Sequence, residues 1–313
     1  MRRLIQVSLL AAAMSLSGFT VGQSFEAGLE AYKSGDYSTA IENFRPLAEQ
    51  GNPLAQFNLG YMNFNGEGVP KSYREASKWY RRAAEQGVTR AQVILGKMYN
   101  YGHGVPRDDR EAAKWFRRAA EQGVTRAEYN LGLMYTSGRG VPQSYSEASK
   151  WFRRAAEQGD ADAQVMLGLS YNGGEGNTQN HGEAAKWFRR AAEQGNASAQ
   201  FNLGYLYDSG EGVPQNFRKA AQWYRRAAEQ GDDRAQYNLS IMYFNGEGVS
   251  NDPVIAYVLA NLAAARGNRN ASKNRDISLE SLSSEQISEG QRLASQWQVG
   301  TPLPTTKDTK TWP

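Results

Sequence analysis

A block of six residues recurs at intervals of 36 residues, and this period constrains the fold more than any other feature of the chain. The block begins as AQFNLG at Ala55, and it returns with small changes at Ala91, Ala127, Ala163, Ala199 and Ala235. The glycine that ends each AEQG sequence keeps the same spacing from Gly51 to Gly231, and Gly267 continues the series. A fixed period of this length is typical of repeat proteins, in which each unit is one supersecondary element.

Each unit is predicted to begin with an amphipathic helix. Ala55, Leu59 and Met62 share one face of a helical wheel and form a core stripe. The sequence GEGVP at residues 66–70 predicts the end of this helix, because glycine adopts left-handed conformations readily and proline cannot continue a helix.

A second helix follows in every unit and has its own start signal. Residues suited to N-capping occupy equivalent positions at Ser72, Asp108, Ser144, Asn180, Asn216 and Asp252. Four of them are followed by a glutamate that predicts a capping box, at Glu75, Glu111, Glu147 and Glu183. Ala76, Trp79, Tyr80 and Ala83 then share an apolar face that two helices alone cannot bury. The sequence therefore predicts an all-α fold, an α/α solenoid (superhelix) of stacked 36-residue helix-turn-helix units.

The ends of the chain differ from the middle. Residues 1–23 are predicted to be a signal peptide, 24–51 a shorter helical pair of the tetratricopeptide kind, 268–298 two C-terminal capping helices, and 299–313 a disordered tail. The six full units between them are predicted at residues 52–87, 88–123, 124–159, 160–195, 196–231 and 232–267.

The first residues predict export. Arg2 and Arg3 precede an apolar stretch from Leu4 to Leu16, and small residues follow near Gly22, which is the pattern of a secretory signal. Without residues 1–23 the formal charge falls from +4 to +2, so the remaining chain is nearly balanced. The chain has no cysteine, which excludes disulfides, a thiol nucleophile and lipidation at cysteine. We expect a periplasmic or secreted protein without an integral membrane segment after the signal is cleaved.

The combination of AQxxLGxMY, GxGVP and EAxKWFRRAAEQG at a 36-residue period resembles the Sel1-like repeat family, which is related to the tetratricopeptide repeats. The match covers roughly residues 52–267. The resemblance implies a superhelix whose first helices line a concave groove and which assembles protein complexes. One cysteine-rich branch of the family is linked to penicillin binding and hydrolysis, but this sequence lacks those cysteines.

Catalysis is not expected, and neither is a cofactor or a bound metal. His103 and His181 fall at positions that vary between units, and Ser-x-x-Lys, Gly-x-Ser-x-Gly and His-Glu-x-x-His motifs do not occur. Charged residues one turn apart, such as Arg81 and Glu85, are expected to form surface ion pairs. Arginine pairs recur on the second helices, but glutamates on the same face dilute their charge. No nucleic-acid partner is therefore expected, and an anionic glycan is a weaker alternative to a protein or peptide partner.

The positions that vary between units predict a partner-binding surface. On the first helix, the equivalents of Leu54, Asn58, Tyr61 and Asn65 lie within about 60° of each other and away from the core stripe. The candidate partner-binding residues on it are Asn58, Tyr61, Arg90, Lys97, Tyr101, Arg126, Asn130, Asn202, Tyr205, Arg234 and Asn238. An exported, non-catalytic scaffold that binds a protein or peptide there is the first interpretation. A cell-wall or β-lactam enzyme and a secreted host-interaction factor are the alternatives.

Overall fold

The computed structural model describes residues 24–305, so the predicted signal peptide lies outside the described residues. Within that range the chain forms sixteen α-helices and no strand. The helices are α1 Phe25–Ser34, α2 Tyr37–Glu49, α3 Pro53–Asn65, α4 Tyr73–Glu85, α5 Thr89–Tyr101, α6 Asp109–Glu121, α7 Thr125–Ser137, α8 Tyr145–Glu157, α9 Ala161–Gly173, α10 His181–Glu193, α11 Ala197–Ser209, α12 Phe217–Glu229, α13 Asp233–Asn245, α14 Pro253–Ala265, α15 Arg269–Glu280 and α16 Ser284–Gln296.

The helices fall into two compact units, Met1–Arg107 and Asp108–Pro313. In the first unit the successive helices from α1 to α5 pack against one another, and in the second unit the successive helices from α6 to α15 do the same. At the C-terminal end, α14 also packs against α16. This succession of neighbouring helices confirms the predicted all-α solenoid.

The predicted capping residues do begin the second helices. The Ser72 hydroxyl, for example, accepts a hydrogen bond from the Glu75 backbone N–H at 3.2 Å. At the beginning of α6, α8, α10, α12 and α14, a backbone N–H donates in the same way to the N-cap side chain three residues before it. Each first helix from α3 to α13 ends at a glycine in the left-handed conformation, as GEGVP predicts.

The capping boxes predicted at four second helices are wrong. The Glu75 carboxylate accepts from Lys78 Nζ at 2.7 Å, and the same pairing joins Glu111 to Lys114, Glu147 to Lys150 and Glu183 to Lys186. The backbone N–H that a capping box would use is already occupied, because the Ser72 N–H donates to the Asn63 carbonyl at 2.8 Å. A complete capping box forms at Ser283 and Gln286.

A glycine of the first helix makes room for an aromatic ring of the second helix in the same repeat. A Cβ on Gly132 would lie 2.5 Å from a ring carbon of Phe152. Gly60, Gly168 and Gly204 meet Tyr80, Phe188 and Tyr224 in the same way. Leu131 and Phe152 are almost fully buried beside this contact. The glycine in these four LG dipeptides is therefore a packing requirement between the two helices.

A second glycine joins successive repeats. Gly140 in the loop after α7 has φ of 70°, and a Cβ there would lie 2.0 Å from the Asp109 carbonyl oxygen at the start of α6. Gly176 meets the Tyr145 carbonyl at the start of α8 at a similar distance. Only glycine satisfies both the left-handed backbone and the close approach. The loop of one repeat thus rests on the second helix of the repeat before it.

The expectation of a disordered tail from residue 299 is wrong for residues 299–305. The Gly300 N–H donates to the Glu229 carbonyl at 2.8 Å, and the Leu303 N–H donates to the Glu229 carboxylate at 3.2 Å. Leu303 is buried in the core cluster of the second unit, with Tyr243, Ile255 and Leu259. A single leucine between two prolines carries no periodicity, so the sequence pattern did not reveal this contact. Residues 306–313 of the predicted tail lie outside the described residues.

The packing of Gly132 predicts the effect of one added methyl group. We expect Gly132→Ala to lower the free energy of unfolding by about 1–3 kcal/mol, because the new Cβ must displace the buried Phe152 ring. Gly173→Ala is the matched control, since its Cβ would enter nearly open space at the exposed end of α9. Urea denaturation should show no loss of stability for this control, because replacing a helical glycine by alanine in open space stabilises a protein by about 0.4–1 kcal/mol. Equal effects of the two substitutions would contradict the packing role of Gly132.

Candidate partner-binding face

Buried glutamines connect successive repeats behind the predicted binding surface. Gln164 Nε2 on α9 donates to the Ala156 carbonyl of the preceding helix at 3.1 Å, and Gln194 Nε2 donates to Gln164 Oε1 at 2.8 Å. Gln56, Gln92, Gln200 and Gln236 donate to the equivalent carbonyls. These bonds satisfy carbonyl groups at the C-terminal ends of the second helices. They also fix how each first helix sits on the helix before it.

An arginine and a tyrosine form a second link between repeats. The first arginine of each pair donates to a tyrosine hydroxyl 18 residues later, as Arg189 does to Tyr207 at 2.7 Å. The other members are Arg81 with Tyr99, Arg117 with Tyr135, Arg153 with Tyr171 and Arg225 with Tyr243. The predicted Arg81–Glu85 pair is therefore wrong, because the Arg81 guanidinium is directed to the next repeat.

The second arginine of each pair lies over a tryptophan of its own helix. The Arg190 guanidinium carbon is 4.6 Å from the centre of the Trp187 ring, and Arg82, Arg118, Arg154 and Arg226 lie over Trp79, Trp115, Trp151 and Trp223 in the same way. Such cation–π contacts stabilise exposed sites by about 0.5–1 kcal/mol. The recurrence of both arginines thus has a structural cause.

One repeat breaks the glutamine series. Glu128 occupies the glutamine position on α7, where its side chain is fully buried and, as a carboxylate, has no hydrogen to donate to the Ala120 carbonyl. Arg154 Nη2 donates to that carbonyl instead, at 3.1 Å. Arg154 Nε also lies 2.9 Å from the Glu128 carboxylate, and Gln158 donates to it at 2.6 Å. Burial raises the pKa of Glu128, although Arg154 and Gln158 act in the opposite direction.

In the first unit, the predicted binding residues lie on α3 and α5. Arg90, Lys97 and Tyr101 are exposed, and Tyr101 is 65% accessible. Asn58 and Tyr61 are half-buried, and the Tyr61 ring centre lies 6.3 Å from that of Tyr32 on α1. The surface of this unit thus offers an aromatic side chain on the same helix as two cationic ones.

In the second unit, residues at the same position of neighbouring repeats lie close together. The Arg126 guanidinium is 3.6 Å from the carboxylate of Asp162, which stands 36 residues later. Tyr205 is 44% exposed, and exposed Arg234 lies over the Phe201 ring at 4.2 Å. The first helices of these adjacent repeats therefore present these positions side by side.

The asparagines are partly engaged within their own helices. Asn58, Asn130 and Asn202 each donate to the carbonyl four residues earlier, at 3.0, 2.6 and 2.8 Å. One amide N–H and the amide oxygen of each have no hydrogen bond to described residues, so a peptide backbone could use them. Asn238 differs, because its amide donates to the buried Tyr224 hydroxyl at 3.0 Å. The structure favours a packing role for Asn238.

An aromatic cluster at the loop after α5 was not predicted. The His103 ring stacks on Tyr73 with centres 5.4 Å apart, and on Tyr101 with centres 5.7 Å apart. Tyr73 also lies 4.9 Å from Phe64. His103 lies at a position that varies between repeats and is exposed, and its ring extends the aromatic surface around Tyr101. The signal in the sequence was the tyrosine at the end of α5 and the tyrosine at the start of α4.

The second histidine, His181, is the first residue of α10. Its Nδ1 lies 2.9 Å from the amide oxygen of Asn172 near the end of α9. Residues 24–305 contain no group of three histidine, aspartate or glutamate side chains arranged to hold a metal ion. Across the same range, none of the helices combines the length and apolar character needed to cross a bilayer.

The family is decided by the comparison with known protein families. The Sel1 repeat model matches residues 11–52, 53–88, 89–124, 125–160, 161–196, 197–232 and 233–268. The chain belongs to the Sel1 repeat family. The first match takes in α1 and α2, the pair that we predicted as tetratricopeptide-like, and the other matches start one residue after the predicted units.

Two solved Sel1-type structures are similar to this chain. One is a protective antigen present in uropathogenic Escherichia coli strains, which displays an SLR fold, is 39% identical and has a TM-score of 0.73. The alignment covers 82% of this chain and 56% of the antigen, so this chain spans little more than half of that protein. The other is a Sel1 repeat protein from Oxalobacter formigenes, with 34% identity, a TM-score of 0.71 and coverage of 78% of this chain and 100% of that chain. The comparison with curated proteins gives no match.

The burial of Glu128 predicts that the effect of replacing this residue on the free energy of unfolding depends on pH. A carboxyl whose pKa is raised by folding contributes stability at low pH that is lost as the pH rises through the folded-state pKa. We expect Glu128→Gln to stabilise the protein by about 1 kcal/mol near neutral pH, because the amide can donate to the Ala120 carbonyl without a buried charge. The gain should shrink as the pH falls and Glu128 of the parent protein becomes protonated.

Urea denaturation at several pH values measures this gain, with Glu121→Gln as the control for removing an exposed carboxylate of the same unit. A gain that stays constant with pH, or that Glu121→Gln reproduces, would contradict the role assigned to the buried carboxylate.

Proposed function

We propose that this protein is an exported adaptor that binds a segment of a partner protein across the variable face of its first helices. Sel1 repeat solenoids generally act as non-catalytic scaffolds for protein interactions, and protein partners are what this fold suggests. The contrast between recurring and varying positions supports binding at the variable face. The recurring glutamine, arginine, tyrosine and glycine residues hold the repeats together, which leaves the varying face for recognition.

Exposed apolar side chains support this face as the binding surface. Leu54, Tyr101, Leu169 and Tyr205 are 40–65% exposed, and all four occupy the predicted stripe on first helices. Burial of apolar surface stabilises a complex by roughly 25 cal/mol per Å² before the costs of association. Exposed tyrosines are also frequent anchor residues in protein interfaces.

Charge on the same face indicates different preferences in the two units. Arg90 and Lys97 on α5 are exposed, and neither forms an ion pair with a described residue. In the second unit, Arg126 is paired with Asp162. We therefore propose that the α5 part of the face takes an acidic or carboxylate-bearing stretch of the partner, while apolar and hydrogen-bonding contacts dominate in the second unit.

The export part of the proposal rests on residues 1–23. Two arginines followed by an apolar stretch and small residues give the pattern of a cleaved secretory signal. The absence of cysteine is compatible with an oxidising compartment.

The binding proposal predicts separable effects on folding and on partner capture. Tyr205→Ala combined with Asn130→Ala and Asn202→Ala should weaken capture of the partner at least tenfold, while the melting temperature changes little because these side chains lie outside the core. Affinity capture from an envelope extract with residues 24–313 as bait identifies the partner, and titration with that purified partner measures the loss. Tyr145→Ala is the control, since Tyr145 is similarly exposed but begins a second helix. Equal loss of capture with Tyr145→Ala would contradict the proposal.

The export proposal predicts where the protein accumulates. When the full chain is expressed in a Gram-negative host, we expect a product shortened near residue 23 in the periplasmic or culture fraction. The chain starting at residue 24 should remain in the cytoplasm. Mass spectrometry of the fractions measures the N-terminus, and an uncut, cytoplasmic full-length product would contradict export.

A further inference from the structure

The helix α12 departs from the charge pattern of the other second helices. Four second helices carry a glutamate at their third position and a lysine three residues later, and each of these pairs forms an ion pair. In α12 the same two positions hold Lys219 and Gln222. The change replaces an internally neutral pair with an unpaired cation.

Lys219 lies at a shallow cavity of about 370 Å³ in the second unit. The cavity is lined by Arg189, Glu193, Tyr207, Lys219, Gln222, Trp223 and Arg226, which come from α10, α11 and α12. Its volume is within the range of small-molecule sites. Three cations and one carboxylate give this lining a formal charge of +2.

The cations are held in place by neighbouring aromatic side chains. Arg189 donates to the Tyr207 hydroxyl at 2.7 Å, and Lys219 Nζ lies 5.3 Å from the centre of the Tyr207 ring. The Arg226 guanidinium lies 4.6 Å from the centre of the Trp223 ring. None of the three forms an ion pair with a carboxylate among residues 24–305. The cavity therefore presents ordered positive groups whose charge is only partly offset, by the Glu193 carboxylate.

We infer that this cavity binds a phosphate group. A phosphate carries about −1.5 to −2 charges near pH 7, which matches the charge of the lining. Arginine donates pairs of hydrogen bonds to phosphate oxygens, and lysine adds a compact positive charge. The site lies mainly on the second helices α10 and α12, and Tyr207 of α11 is outside the proposed partner-binding stripe, so either proposal can fail without the other.

The neighbouring repeats of the same unit lack this combination. One repeat earlier, Glu183 occupies the position of Lys219 and pairs with Lys186 at 2.6 Å. One repeat later, the same position is Ile255, which is buried in the core cluster that also contains Leu303. The charge excess is thus specific to the α10 to α12 region and not a general property of the fold.

The test is calorimetric titration of residues 24–313 at low ionic strength with inorganic phosphate and with glucose 6-phosphate, together with flotation on vesicles that contain phosphatidic acid. We expect saturable binding with one site per chain for at least one of these probes. Tighter binding of glucose 6-phosphate would indicate a soluble phosphate ester as the source, and binding only to the vesicles would indicate a lipid headgroup. No saturable binding of any probe would overturn the inference.

Substitutions taken from the neighbouring repeat provide matched controls. Lys219→Glu with Gln222→Lys restores the common pair and should weaken binding at least tenfold without lowering the melting temperature. Glu183→Lys with Lys186→Gln should add a second site, raising the stoichiometry toward two. Lys273→Gln lowers the net charge by the same one unit at an exposed position of α15 and should leave binding unchanged. Equal weakening by Lys273→Gln, or unchanged binding after the Lys219→Glu exchange, would overturn the inference.

Discussion

Each repeat of this protein depends on its neighbours, because two short helices cannot enclose their own apolar surface. A second helix such as α10 packs against the first helix of its own repeat and against that of the next. The contacts of α10 with Tyr207, Gln200 and Gly168 lie at these same two helix interfaces. Stability in such a stack is approximately the sum of weak units and the interfaces between them.

This dependence separates structural from functional residues. Arg189 recurs because it reaches the tyrosine of the next repeat, and Arg190 recurs because it lies over Trp187. Neither recurrence requires a ligand. Lys219 and Tyr205 make no comparable recurring contact, and both differ from most of the residues at the equivalent positions of other repeats. Departures from the repeat are therefore free to recognise a ligand, and each proposed site depends on at least one such departure.

Local signals in the sequence were sufficient for the helices, their starting residues and the glycine that ends each first helix. They failed where tertiary contacts compete with local ones. Ser72 begins α4 as predicted, but its N–H is taken by Asn63, so Glu75 turns to Lys78. Arg154 replaces a missing glutamine donor only because Glu128 and the Ala120 carbonyl meet in space. The proposed partner-binding face followed from helical periodicity, whereas the cavity beside Lys219 needed the positions of three helices.

The dependence of each repeat on its neighbours is tested most directly by urea denaturation of chains containing one, two and four consecutive repeats from residues 125–268. The account predicts that a single repeat is unfolded in water, and that both the unfolding midpoint and its steepness rise with each added repeat. A single repeat that folds with the stability of the four-repeat chain would contradict it.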